Sequence, residues 1–63
     1  MFTRITVGQV FEREFPGGPR QAEVVEAAAD RRKGKFRFLD DSSIMEALAV
    51  QLNDGWRLIP PPV

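Results

Sequence analysis

The sequence predicts an all-β or β-rich domain, and three observations carry that prediction. Residues 2–15 and 35–40 alternate apolar with polar side chains and are rich in β-branched and aromatic types. Two clusters of turn-forming residues, Pro16-Gly17-Gly18-Pro19 and Asn53-Asp54-Gly55, cut the chain into lengths that suit strands. The segment Gly55-Trp56-Arg57-Leu58-Ile59-Pro60 reads as a short closing strand, since Trp and Ile fit a pleated surface and Pro ends the ladder. Segments 20–30 and 42–52 are also compatible with helix. One short helix near 43–53 therefore fits within the β-rich prediction. The alternative is α+β, a small curved sheet with one or two helices.

At the start of the chain, Ile5, Val7, Phe11 and Phe15 share one parity, and Thr3 and Thr6 add β-branched character. The alternation slips at Gly8, and Val10 has the opposite parity. A strand over 3–11 with a bend or bulge at Gly8 is expected. Residues 20–30 support two structures. Pro19 suits a first helical position, Gly34 suits a helix stop, and the run of alanines favours helix. Val24, Val25 and the clean strand that follows favour instead a hairpin, with strands near 21–28 and 35–40 and a break at Arg32-Lys33-Gly34-Lys35. Ser43-Ile44-Met45-Glu46 has the spacing of a helix capping box, with Ile44, Met45, Leu48 and Leu52 as one stripe. Ile44, Leu48, Val50 and Leu52 equally share strand parity. The expected core is Ile5, Val7, Val10, Phe11, Val25, Phe36, Phe38, Leu48, Leu52, Trp56 and Leu58.

Length and composition narrow the function. The 63 residues make one domain, 1–63, with 60–63 a Pro-rich tail. There is no Cys and no His, which excludes disulfides, thiolate or imidazole metal sites, and Ser-His or Cys-His catalysis. Lys+Arg 9 balances Asp+Glu 9, so no whole-protein field draws in nucleic acid or membrane. The N-terminus lacks the apolar core of a signal peptide, and Ala47–Asn53 is too short to span a bilayer. A cytoplasmic protein with no membrane partner is expected.

Little catalytic chemistry is on offer. Asp40 and Asp41 are neighbours, which on a strand point to opposite faces, so a turn role beside Ser42 and Ser43 outweighs an acid/base pair. Asp40, Asp41 and Asp54 do not follow the calcium-loop spacing, and no metal site is expected. Gly17-Gly18 lacks the continuation of a phosphate-binding loop. No enzyme activity and no cofactor are predicted. The most functional feature is the basic stretch: Arg31, Arg32, Lys33, Lys35 and Arg37, five of nine cations within seven residues, interleaved with Phe36 and Phe38. Clustered cations can neutralise phosphates or meet an acidic protein surface. On a strand, Lys35 and Arg37 would share one face, and Phe36 and Phe38 the core face. Trp56, the single Trp, is either a core anchor or an exposed binding hot spot. The tail Pro60-Pro61-Pro62 is either a ligand for a proline-binding groove or an inert end.

Taken in order, Val7-Gly8-Gln9-Val10-Phe11, the Gly/Pro turn, the apolar segment 22–28, the basic turn, Phe36-Arg37-Phe38-Leu39, and the run from Leu52 through Gly55-Trp56-Arg57-Leu58-Ile59 resemble the small Src-homology-3-like barrels of short phage and bacterial accessory proteins. Those barrels open on a Val-Gly-x-Val-aromatic strand, run a long bent hairpin and close on an aromatic-bearing strand. Residues 42–52 depart from the pattern by their helical look. The resemblance implies a binding module and carries over no catalytic residue. The expected function is a small non-enzymatic module that covers a surface of a protein partner, as an inhibitor or adaptor of phage-encoded type. The partner surface would be acidic or mixed and would be contacted by Arg31, Arg32, Lys33, Lys35, Arg37 and Trp56. The alternative is a nucleic-acid-binding small barrel using 31–37; self-association is compatible with either.

Overall fold

A computed structural model describes residues 2–60. Five strands, β1 (Val10–Phe15), β2 (Gly18–Ala27), β3 (Lys33–Phe38), β4 (Ile44–Leu48) and β5 (Arg57–Ile59), form one antiparallel sheet in the order β4-β3-β2-β1-β5. A 3-10 turn, Ala49–Asn53, carries the chain from β4 at one edge to β5 at the other. The protein is β-rich, as the alternation predicts. The sheet is not closed: β4 and β5 are both edges, and a complete barrel is not formed.

Local chemistry sets each hairpin. Phe15 pairs with Gly18 across Pro16-Gly17, and Gly18 takes the left-handed φ of 116° that the tight turn requires. The other two hairpins share one device. In the β2–β3 connection the Asp30 carboxylate accepts from Arg32 N at 3.0 Å, and Arg31 adopts φ 60°. In the β3–β4 connection the Asp41 carboxylate accepts from Ser43 N at 2.9 Å, and Ser42 adopts φ 64°. An Asp that folds back on the amide two residues ahead can hold a non-Gly residue in the left-handed region between them.

The strand period divides the sheet into two faces. Phe11, Ala22, Val24, Phe36 and Phe38 line the core face and are buried. A single sheet leaves that face bare, so other segments must cover it. Ala49 and Leu52 of the 3-10 turn cover part of it, and Ile5 another part, all fully buried. Ile5 N donates to Arg31 O at 2.9 Å. Asn53 holds the segment's start: Phe2 N donates to its Oδ1 at 2.6 Å, and its Nδ2 donates to Phe2 O at 2.9 Å. Phe2 then meets the edge of Phe11, ring centres 5.3 Å apart.

Several expectations are corrected. The first strand begins at Val10, not at residue 3: the segment before it lies over the core face, and Gly8 (φ 98°) makes the turn that leads into β1. Gly8 does mark the bend. Residues 20–30 are not helix. They belong mostly to β2, whose cross-strand partners outweigh the local preference of alanine. The predicted helix near 43–53 is strand β4 followed by a 3-10 turn; Ser43 donates from N and Oγ to Asp41 instead of capping a helix. The β2–β3 turn precedes Lys33, and Gly34 sits inside β3. Val7, Val25, Leu48 and Leu58 are exposed, not core, while Ala22, Val24 and Ala49 are core. Val25 is turned out by plain alternation: Ala22 and Val24 hold the core face opposite Phe38 and Phe36, and the register shifts only beyond Val24, between Val24 and Glu26. Pro61, Pro62 and Val63 of the tail lie outside the described residues.

Gly34 is glycine for lack of room. A methyl group there would lie 2.3 Å from Glu26 O and 2.6 Å from Ile5 Cδ1. Gly34→Ala is expected to destabilise the protein by about 1–3 kcal/mol through overpacking, read from the shift in urea midpoint at unchanged slope. A midpoint at or above wild type would show that Ile5 does not need that space.

Candidate functional site

The nine cations divide into two groups. Arg20, Lys35, Arg37 and Arg57 make ion pairs within the protein. Arg4, Arg13, Arg31, Arg32 and Lys33 make none among the described residues, though Arg13 lies over the Phe15 ring at 5.7 Å. Arg4, Arg31 and Arg32 line one exposed hollow of about 320 Å³ with Ala29 and Asp30. Lys33 follows Arg32 in the chain and is also exposed. This basic end is the candidate site.

Backbone hydrogen bonds build it. Arg31 O accepts from Ile5 N at 2.9 Å, which places Arg4 beside the hairpin tip. Arg32 O accepts from Ala49 N at 2.7 Å and ties the tip to the end of β4. The carbonyls of both arginines are committed to the fold while their side chains face solvent. Asp30, the acid at the hollow, already accepts from Arg32 N.

The structure splits the predicted basic stretch. Arg31, Arg32 and Lys33 are at or beside the hairpin tip. Lys35 and Arg37 lie farther along β3 on its outer face, as the strand period predicts, but paired. Arg37 Nη2 is 3.4 Å from Glu23 Oε1, and Lys35 Nζ is 4.0 Å from Glu26 Oε2. Those carboxylates are cross-strand neighbours in the β2–β3 register. Phe36 and Phe38 are in the core and offer no ring to a nucleic-acid base. Trp56 is half-buried at the other end of the sheet, against Phe15 and Phe38 with ring centres 6.0 and 6.3 Å away. Lys33 and Phe38 are five steps apart on β3, about 17 Å, so Trp56 is not part of the basic end. Arg4 was not legible as a member: nothing in its spacing links it to residue 31, and only the fold-back of the N-terminal segment does.

The far end carries a second charge constellation, neutralised internally. Arg20 Nε donates to Asp40 Oδ2 at 2.8 Å and Arg20 Nη2 to Asp41 Oδ2 at 3.1 Å, with the guanidinium 4.0 Å from the centre of the Phe38 ring. The Arg20 guanidinium holds the Asp40 carboxyl below its ordinary range, and hydrogen bonds from Ser43 do the same for Asp41. On the outer face Glu12 accepts from Arg57 and from Gln21, and its carboxyl is lowered by those bonds in that order. These acids bind partners of their own and are not poised for proton transfer.

Among the described residues no group of three or more acidic side chains converges as a metal site, and no helix is long and apolar enough to cross a membrane. Compared with protein-family models, with curated proteins and with solved structures, the chain finds no match in any of the three.

The lowered carboxyls shape the acid limb of stability. Carboxyls lowered in the folded state stabilise it above their unfolded pKa, and that contribution is lost as pH falls through the folded value. Asp40, Asp41 and Glu12 are all lowered. Melting temperature is therefore expected to fall below about pH 4.5, where unfolded carboxylates begin to protonate. Asp40→Asn should flatten that fall by removing one contributor. An unchanged acid slope in the variant would remove Asp40 from the account.

Proposed function

We propose that this protein is a small non-enzymatic binding module whose basic end, Arg4, Arg31, Arg32 and Lys33, docks on an acidic surface of a protein partner. One observation carries the reading. The cations left without an internal counter-charge, Arg13 apart, gather at one end of the molecule, while those elsewhere are neutralised at home. Like charges held together on an ordered hairpin are unfavourable to the free protein and are relieved by an acidic partner. With net charge +0 the attraction is local, which suits docking on a defined patch over wrapping along a polyanion. The burial of Phe36 and Phe38 weighs against the nucleic-acid reading, which wants an exposed aromatic. An inhibitor or adaptor of the kind phages encode, on an incompletely closed Src-homology-3-like sheet, is the class this proposal fits.

Reversing Arg31, Arg32 and Lys33 to Glu tests the docking. Each change at this exposed tip should alter stability within about ±0.5 kcal/mol, so the circular dichroism melt is retained. Protein captured by the wild-type chain at low salt should be lost, mainly through slower association, and the difference should shrink as salt rises. Full retention by the folded triple variant would move the interface elsewhere. Capture of nucleic acid instead, with a salt slope reduced by about one unit per lost contact, would favour the second reading.

A further inference from the structure

We infer that the free edge of β4 is a docking site for an extended strand of another protein, with a cation opposite Glu46 and apolar residues on either side of it. Two independent features meet there. The first is backbone left unpaired among the described residues. Phe38 N donates to Ser43 O, and Ala49 N donates to Arg32 O, which fixes the alternation of the β3–β4 ladder. Residues 43, 45, 47 and 49 bond inward, so the N–H and C=O of Ile44 and Glu46 point away from the sheet. Leu48 N is capped by Gln51 Oε1 at 2.7 Å, which ends the free stretch at one side. The second is a cleft where the sheet fails to close. It holds about 380 Å³ and is lined by Met45, Glu46 and Ala47 of β4 and, across from them, by Phe15, Trp56 and Arg13. An added strand would satisfy Ile44 and Glu46 with four backbone hydrogen bonds and send its inward side chains into that cleft.

Charge and shape choose the occupant. Across the outer face, Glu26, Lys35 and Glu46 make one row of alternating sign, and the next position in it calls for a cation. The neighbouring rows end on Ile44 and Leu48, 57% and 46% exposed, and call for apolar side chains. A second copy of this chain meets the apolar rows but not the charge: symmetric antiparallel pairing of two β4 edges about residue 46 sets Ile44 opposite Leu48 and Glu46 opposite Glu46, two like charges. The chain's own proline tail lacks the N–H groups that Ile44 and Glu46 carbonyls require. A strand of another protein, reading apolar–cation–apolar, fits both rows and the cleft.

The probe is a capped heptapeptide, Val-Phe-Lys-Leu-Val-Thr-Thr, with its Lys set opposite Glu46 and its two Val residues opposite Leu48 and Ile44. Trp56 is the single Trp and lines the cleft, so its emission should shift to the blue as the peptide displaces water. The same peptide with Glu for Lys should bind about three- to fivefold more weakly, and Glu46→Gln should erase that preference. N-methylation of the peptide at the nitrogens of its Lys and its second Val should weaken binding about tenfold or more by removing the edge hydrogen bonds. Glu46→Pro removes the protein's own outward N–H and should do the same; if it unfolds, the N-methyl peptide still decides. Absence of a Trp56 shift, or equal binding of the N-methyl peptide, overturns the inference. So does a wild-type dimer in sedimentation that Glu46→Gln tightens, since a second copy would then own the edge. The basic end is separate: Arg31→Glu with Arg32→Glu should leave peptide binding intact while abolishing the docking proposed above.

Discussion

The seating of Ile5 on Gly34 is the contact on which the rest of the molecule depends. A five-stranded sheet in a chain this short has one apolar face and no second sheet to cover it. The cover comes from the approach segment, residues 2–9, and a 3-10 turn. For Ile5 to reach the sheet, the strand beneath it must lack a side chain, and Gly34 provides that gap. The same arrival sets Ile5 N against Arg31 O and so fixes the hairpin tip. Asn53 clamps Phe2 to the far side of the cover, which makes the N-terminal segment and the 3-10 turn one lid instead of two loose pieces. Core, hairpin tip and lid are therefore coupled through one pair of residues.

That coupling explains why the basic end is ordered. Arginine side chains on a free loop would spread their charge over many conformations. Here the carbonyls of Arg31 and Arg32 are bonded to the lid and to the end of β4, so the chain under the side chains is held at both sides. Arg13 apart, the remaining cations are consumed by cross-strand pairs on the outer face or by the Arg20 contacts with Asp40, Asp41 and Phe38. Exposed pairs of this kind add little stability. Their larger effect is on specificity: they leave one end of a neutral molecule distinctly positive.

What the sequence made legible follows from range. The strand period alone placed Phe36 and Phe38 inward and Lys35 and Arg37 outward, and the β-bend at Gly8 was visible as a parity slip. Segments whose structure is set by distant partners were not legible. Alanines at 27–29 and the Ser43/Glu46 spacing state a helical preference that β1, β3 and Asp41 override. Val24 and Val25 are the same residue type side by side, and only the pairing of Ala22 with Phe11 and Phe38 tells which parity of β2 faces the core. Gly34 looked like a turn because glycine's two uses, permissive φ and absent bulk, are identical in sequence; only the position of Ile5 tells them apart. The same fold-back hid Arg4, whose neighbourhood to Arg31 exists in space alone.

The unclosed seam is the consequence of the same economy of chain. To close the sheet, β4 would have to pair with β1 or β5, yet the residues between β4 and β5 are spent on the 3-10 turn that buries Ala49 and Leu52. Removing that turn to close the barrel would uncover the core it plugs. The protein thus keeps its core covered at the expense of an open edge, and Glu46 stands in the middle of that edge. A charge at the centre of an edge strand discourages symmetric self-pairing. It does not discourage a strand that brings the opposite charge, which is how one residue can protect an edge from its own kind and leave it open to another.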